Sequence, residues 1–147
     1  MSEPNLREPA GRRVTIPFEI TGWDQTVWSD ADGVQTARAE VTKKFAGALD
    51  GTSVARVLTT SVDGTGVAYA AHEVVTGVLE GRSGSFAIAH GAVDGDVPAE
   101  DRYAPGRVVP GSGRGELAGI AGLVEFRHDE QGARLTLDYT LGRRPGG

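Results

Sequence analysis

The sequence predicts an all-β fold, a single closed antiparallel β-barrel of about eight strands, and three observations carry that prediction. Apolar residues recur with period two through most of the chain, the repeat that sends alternate side chains to opposite faces of a strand. Glycine is abundant, 22 of 147 residues, and follows no collagen-like period, which suits many tight turns. The apolar runs end at Gly or Asp-Gly, the chemistry of short hairpin loops.

The elements follow in chain order. Residues 1–13 are polar, contain Pro4 and Pro9 and read as a flexible tail, with the barrel domain over 14–142 and a second tail over 143–147. Val14, Ile16, Phe18 and Ile20 alternate with Thr15, Pro17 and Glu19, a strand that Pro17 confines to a sheet edge or bulge. Ala39, Val41, Lys43 and Phe45 alternate with Arg38, Glu40, Thr42 and Lys44. Further strands are read at 54–61, 67–76, 85–90, 123–128 and 133–141, each rich in Val, Thr, Leu or aromatic residues. Asp63-Gly64 joins two of them as a hairpin. Helical periodicity is hard to sustain over even ten residues.

The motif G-x-L-x-G occurs three times, at 47–51, 77–81 and 115–119. The copies read as similar bends, with leucine packed inward and glycine supplying positive φ or close approach of neighbouring chains. So many strands need closed edges, and a small barrel closes them.

Composition narrows function. The net charge of −5 and scattered Lys and Arg leave no basic footprint for nucleic acid. There is no cysteine, hence no disulfide, thiolate nucleophile or zinc–thiolate site. No window reaches membrane-spanning length and the first residues lack a signal-peptide core, so a cytoplasmic protein without membrane or nucleic-acid partners is expected. Gly113 to Ala118 spells G-x-G-x-x-A, but a dinucleotide loop needs a helix after the glycines. Here Ile120 to Phe126 continues as a β run, and no Walker-type lysine follows. The three histidines show no paired ligand spacing; neither a metal nor a cofactor is expected.

The segments KKFAGALDGTS (43–53), AYAAHEVVTGVLEGRSGSFAIAH (68–90), VVPGSGRGELAGIAG (108–122) and LTLDYTLG (135–142) together resemble a bacterial family known as domain of unknown function 3224. The resemblance implies a barrel similar to those of allene oxide cyclase and the dirigent proteins, and it supplies no settled activity. Cousin barrels pair subunits through exposed sheet faces, so a homo-oligomer fits. The acidic stretch 93–107 is longer than the usual link there and is the least transferable part.

A barrel of this size either fills its interior or holds one small ligand, so inward polar residues are informative. Val67, Tyr69, Ala71, Glu73 and Val75 share one strand face. Glu73 sits among apolar neighbours, where desolvation would raise its pKa toward general acid or base use; otherwise it faces solvent or accepts a structural hydrogen bond. His90 ends the apolar face of Phe86 and Ile88, either as a satisfied structural residue or in chemistry. His72 and His128 fall among neighbours of mixed character. Glu116 could meet Glu73 across the barrel.

The candidate catalytic residues are therefore Glu73, Glu116 and His90. Tyr69, Trp28, Tyr139 and Phe86, with Trp23 beside them, are candidates for lining a cavity, although aromatic strand residues also serve as plain core. Ser112, suited to capping a turn, joins them as a ligand contact. The leading expectation is a barrel that binds a small, largely apolar organic molecule and, if it is an enzyme, isomerises or cyclises it without a cofactor. The alternatives are a non-catalytic carrier and a structural or oligomerisation barrel with a filled core.

Overall fold

The computed structural model describes residues 11–94 and 104–142. They form nine strands: β1 (Arg12–Ala31), β2 (Val34–Phe45), β3 (Leu49–Val62), β4 (Thr65–Leu79), β5 (Arg82–Val93), β6 (Ala104–Val108), β7 (Arg114–Gly115), β8 (Ile120–Asp129) and β9 (Gly132–Leu141). No helix occurs among the described residues, so none is long and apolar enough to cross a membrane. The tails at 1–10 and 143–147, and most of the acidic stretch, lie outside the described residues; Arg12 and Arg13, assigned above to the tail, belong to β1.

All pairings are antiparallel, in the order β4-β3-β2-β1-β9-β8-β6-β5, and β4 pairs again with β5. The sheet thus closes on itself in a ring. The two-residue β7 continues the β6 side of β5.

Three hairpins turn through two residues, Asp32-Gly33, Asp63-Gly64 and Glu80-Gly81, with positive φ at both positions of each. That is the type I′ geometry whose twist matches the flanking strands. The hairpin at Asp32-Gly33 makes β1 and β2 much longer than the alternation at 14–20 and 39–45 indicated. Pro17 stands where β1 changes neighbours: it is the last β1 residue in register with β9, and Phe18 is the first in register with β2. A residue lacking N–H is tolerated at such a margin.

The first two G-x-L-x-G copies pair with each other, Leu49 opposite Leu79 and Gly51 opposite Gly77. A Cβ on Gly77 would lie 2.4 Å from the Asp50 carbonyl oxygen and 2.6 Å from the Gly51 Cα, so the two backbones meet where only glycine fits. Leu49, Leu79 and Leu117 of the third copy are all buried, as the motif predicts.

The interior is unequal along the ring. One end is filled by Phe45, Leu49, Leu79, Phe86, Leu117, Ile120, Leu135 and Leu137. Toward the other end the inward residues of β2, β3 and β4 are small: Ala39, Val41, Ala55, Val57 and Ala71. Beyond Phe18, β1 pairs only with β2, so the wall opens between β1 and the β8–β9 hairpin.

Candidate functional site

The hollow end is a cavity of about 610 Å³, within the size range of small-molecule sites. Ile20, Trp23 and Gln25 of β1 form one wall, and Phe126, Arg127 and His128 of β8 face it. Ile20 and Trp23 count as exposed, Trp23 at 55%, because they border this space. Val41, Ala55 and Val57 line its depth, and Lys43, His90 and Tyr69 make the floor. A second, shallower depression of about 740 Å³ includes Trp28, Leu58 and Ala70 and shares Thr59, Ala68, Tyr69, Ala92 and Val93 with the first.

Beneath the floor sits Glu73, 0% exposed. It is diagonal across the ladders to two partners, because Ser53 is opposite Val75 and His90 is opposite Ala71. Ser53 Oγ donates to Glu73 Oε2 at 2.5 Å. Lys43 Nζ at 3.0 Å and His90 Nε2 at 2.9 Å both meet Oε1. The side chains of His90 and Lys43 are 4% and 8% exposed. Tyr69 Oη lies 3.0 Å from His90 Nδ1, which extends the chain of contacts from the buried carboxylate to the cavity.

The ammonium of Lys43 also stands over two aromatic faces, 4.2 Å from the Phe126 centroid and 4.9 Å from Phe18. The ring quadrupole attracts a cation there. The His90 ring packs on Phe126 with centroids 4.3 Å apart, which fixes its orientation.

This environment corrects the expected direction of the Glu73 pKa. Burial does push the carboxyl up, but the hydrogen bond from His90, the charge of Lys43 and the Ser53 hydroxyl outweigh it and hold Glu73 below the ordinary 4.5. A stably ionised carboxylate only accepts hydrogen bonds, so His90 Nε2 carries a proton. Burial, then the charge of Glu73, pushes the Tyr69 hydroxyl up to about 12. At the rim, partial burial and then Lys43 lower His128 from 6.5.

The remaining sequence candidates fall elsewhere. Glu116 is exposed and accepts hydrogen bonds from Ser83 N at 2.9 Å and Ser83 Oγ at 3.3 Å, so it braces a bend and does not face Glu73. Tyr139 and Phe86 are in the filled end, and the Tyr139 hydroxyl donates to Glu80 Oε1 at 2.5 Å. Ser112 donates to the Val109 carbonyl at 2.7 Å and accepts from Ala87 N at 3.0 Å; it secures a turn and lines neither cavity. Trp28 borders only the shallower depression. His72 is exposed on the outer face. Lys43, Ser53 and Phe126 belong to the site without having been singled out. Among the described residues no three His, Asp or Glu side chains converge as a metal site would require.

The cluster sets an acid limit on stability. Glu73 lies below 4.5 when folded, while Glu80, bonded by Arg12 and Tyr139, and Asp129, bonded by Arg134, are held at about 2. A depressed folded pKa gives stability that is complete above the unfolded value and is lost as pH falls through the folded one. Thermal midpoints followed by circular dichroism are expected to decline slightly below about pH 6.5, where half-buried His128 protonates less readily than in the unfolded chain, and then to fall continuously from about pH 5 toward pH 2. The exposed Glu80 and Asp129 pairs contribute little of this. Glu73→Gln therefore flattens the acid limb, and an unchanged limb would contradict the assignment.

A ring of antiparallel strands, filled at one end and hollow at the other with an ionised cluster between, defines a small all-β protein built around an interior cavity. The chain belongs to the family of proteins of unknown function DUF3224, whose family model matches residues 14–141. It is similar to a solved DUF3224-family protein of unknown function from Shewanella oneidensis MR-1, at 27% identity and a TM-score of 0.76 over 91% of this chain and 99% of that one. No curated protein matches the chain.

Proposed function

We propose that the chain is an allene oxide cyclase-like β-barrel that encloses a small, largely apolar organic molecule and acts on it as a cofactor-free isomerase or cyclase. The observation that carries this reading is the hollow end of the ring, apolar in its depth at Val41, Ala55 and Val57, polar toward Gln25, Arg127 and His128, and floored by Lys43, His90 and Tyr69. A filled structural barrel would have bulky residues where Ala39, Ala55 and Ala71 stand. A shaped cavity contributes to catalysis by holding a flexible molecule in one reactive conformation, and buried polar groups add proton transfer.

The second reading, a carrier without chemistry, is favoured by one observation: Glu73 does not border the cavity and both its oxygens are already bonded. Glu73 is therefore a positioning residue in either case. A cytoplasmic location and a homo-oligomer go with both readings; Leu58, Val74 and Val78, exposed on the outer face of β3 and β4, are available for subunit contact.

Native mass spectrometry of freshly purified protein is expected to find a small molecule that is released on unfolding. Val57→Phe projects into the cavity and is expected to displace it while the fold is retained. A molecule that stays bound to a folded Val57→Phe protein would place binding elsewhere. Incubation of the identified molecule with the protein then separates enzyme from carrier, since only an enzyme converts it.

A further inference from the structure

We infer that the cavity selects a molecule carrying one weakly acidic hydroxyl, an enol or a phenol, and that the chain Tyr69–His90–Glu73 takes up its proton. This rests on the cavity-binding reading above. Because the Glu73 carboxylate can only accept, His90 presents Nε2–H to it, and Nδ1 remains for Tyr69 at 3.0 Å. With Nδ1 as the acceptor, the Tyr69 hydroxyl donates inward to it and turns its lone pairs toward the cavity it lines. The open end of the chain is then an acceptor, the position a ligand O–H would fill.

The transfer balances within these groups. The ligand O–H bond breaks and its proton forms a new O–H bond on Tyr69. The former Tyr69 proton moves to His90 Nδ1, and the imidazolium so formed is held by the Glu73 carboxylate. The ligand keeps the electron pair as an oxyanion, facing the Tyr69 hydroxyl and the Lys43 ammonium on the same floor. Reversing the steps returns a proton to oxygen, and return of the proton to carbon instead completes a keto–enol isomerisation. A base oriented by a carboxylate through its second ring nitrogen is a recurrent way to move such a proton. Tyr69 carries the proton without resting as a phenolate, in accord with its raised pKa.

The probe pair 2-naphthol and 2-methoxynaphthalene tests this without knowledge of the natural ligand. They share an apolar body, and only the first has a proton to give. Titration near neutral pH is expected to give 2-naphthol an advantage of about tenfold or more, the scale of a charge-assisted hydrogen bond, with the red-shifted absorbance of bound naphtholate. Tyr69→Phe is expected to bring the affinity ratio close to one and to remove the red shift. Equal binding of the two compounds to the wild-type protein, or a red shift that survives Tyr69→Phe, would overturn the proton-uptake inference while leaving the cavity reading in place. Binding of neither would overturn both.

Discussion

Glu73→Leu is expected to lower the free energy of unfolding by about 3–5 kcal/mol, the range for removing one partner of a buried ion pair. The substitution is close in volume, so the loss comes from Lys43, whose ammonium is left in the interior without its counter-charge. Two features place the value near the lower end of that range. The Phe18 and Phe126 faces continue to attract the cation, and Lys43 borders a cavity that water can enter. Ser53 and His90 each lose an acceptor as well, which works the other way.

The companion variant Lys43→Met/Glu73→Leu separates these contributions. Replacing a whole buried pair by apolar residues is often neutral or stabilising, so the double variant is expected to regain most of the loss. Urea unfolding of the wild type, both single variants and the double gives the coupling directly. If the double variant loses the sum of the two single losses, the pair is not the energetic unit described here.

The same pair marks where sequence reading reaches its limit. Period two along β4 is enough to put Tyr69, Ala71, Glu73 and Val75 on one face, and all of them do face inward. Burial of Glu73 is thus a one-strand property and was legible. The sign of its pKa shift is a three-strand property. It depends on Lys43 of β2, Ser53 of β3 and His90 of β5, whose meeting requires a register that no single strand specifies.

A signal for Lys43 was nonetheless present: it stands in phase with Ala39, Val41 and Phe45, a charge on an apolar face. Alternation also says which way a side chain points and not which end of the ring it occupies. For that reason Tyr139 and Phe86 looked equivalent to Tyr69, although they belong to the packed end. Length was the other blind spot. The run from Thr21 to Arg38 lacks clean alternation because β1 carries irregularities between Ile20 and Gly22 and between Val27 and Ser29; each shifts the inward phase by one residue.

The unequal filling of the ring predicts unequal costs for removing similar side chains. Leu79→Ala is expected to cost about 2–5 kcal/mol, because a fully buried leucine leaves both lost transfer energy and a void. Leu79 is opposite Leu49 and belongs to the packed cluster with Phe45 and Phe86, so its surroundings have little freedom to collapse. Ile20→Ala removes a side chain of comparable size from the cavity wall, where Ile20 is 44% exposed. It is expected to cost less than about 1 kcal/mol, since partial exposure has already forfeited much of the burial term. The two substitutions should reverse in rank when binding is measured. Ile20→Ala takes apolar surface from the cavity wall and is expected to weaken 2-naphthol, whereas Leu79→Ala, at the far end, is expected to change affinity only through the fraction folded. Denaturation midpoints and a naphthol titration on the two variants check the ordering. A stability loss for Ile20→Ala as large as that for Leu79→Ala would mean that the cavity end is packed in solution and that no room for a ligand exists there.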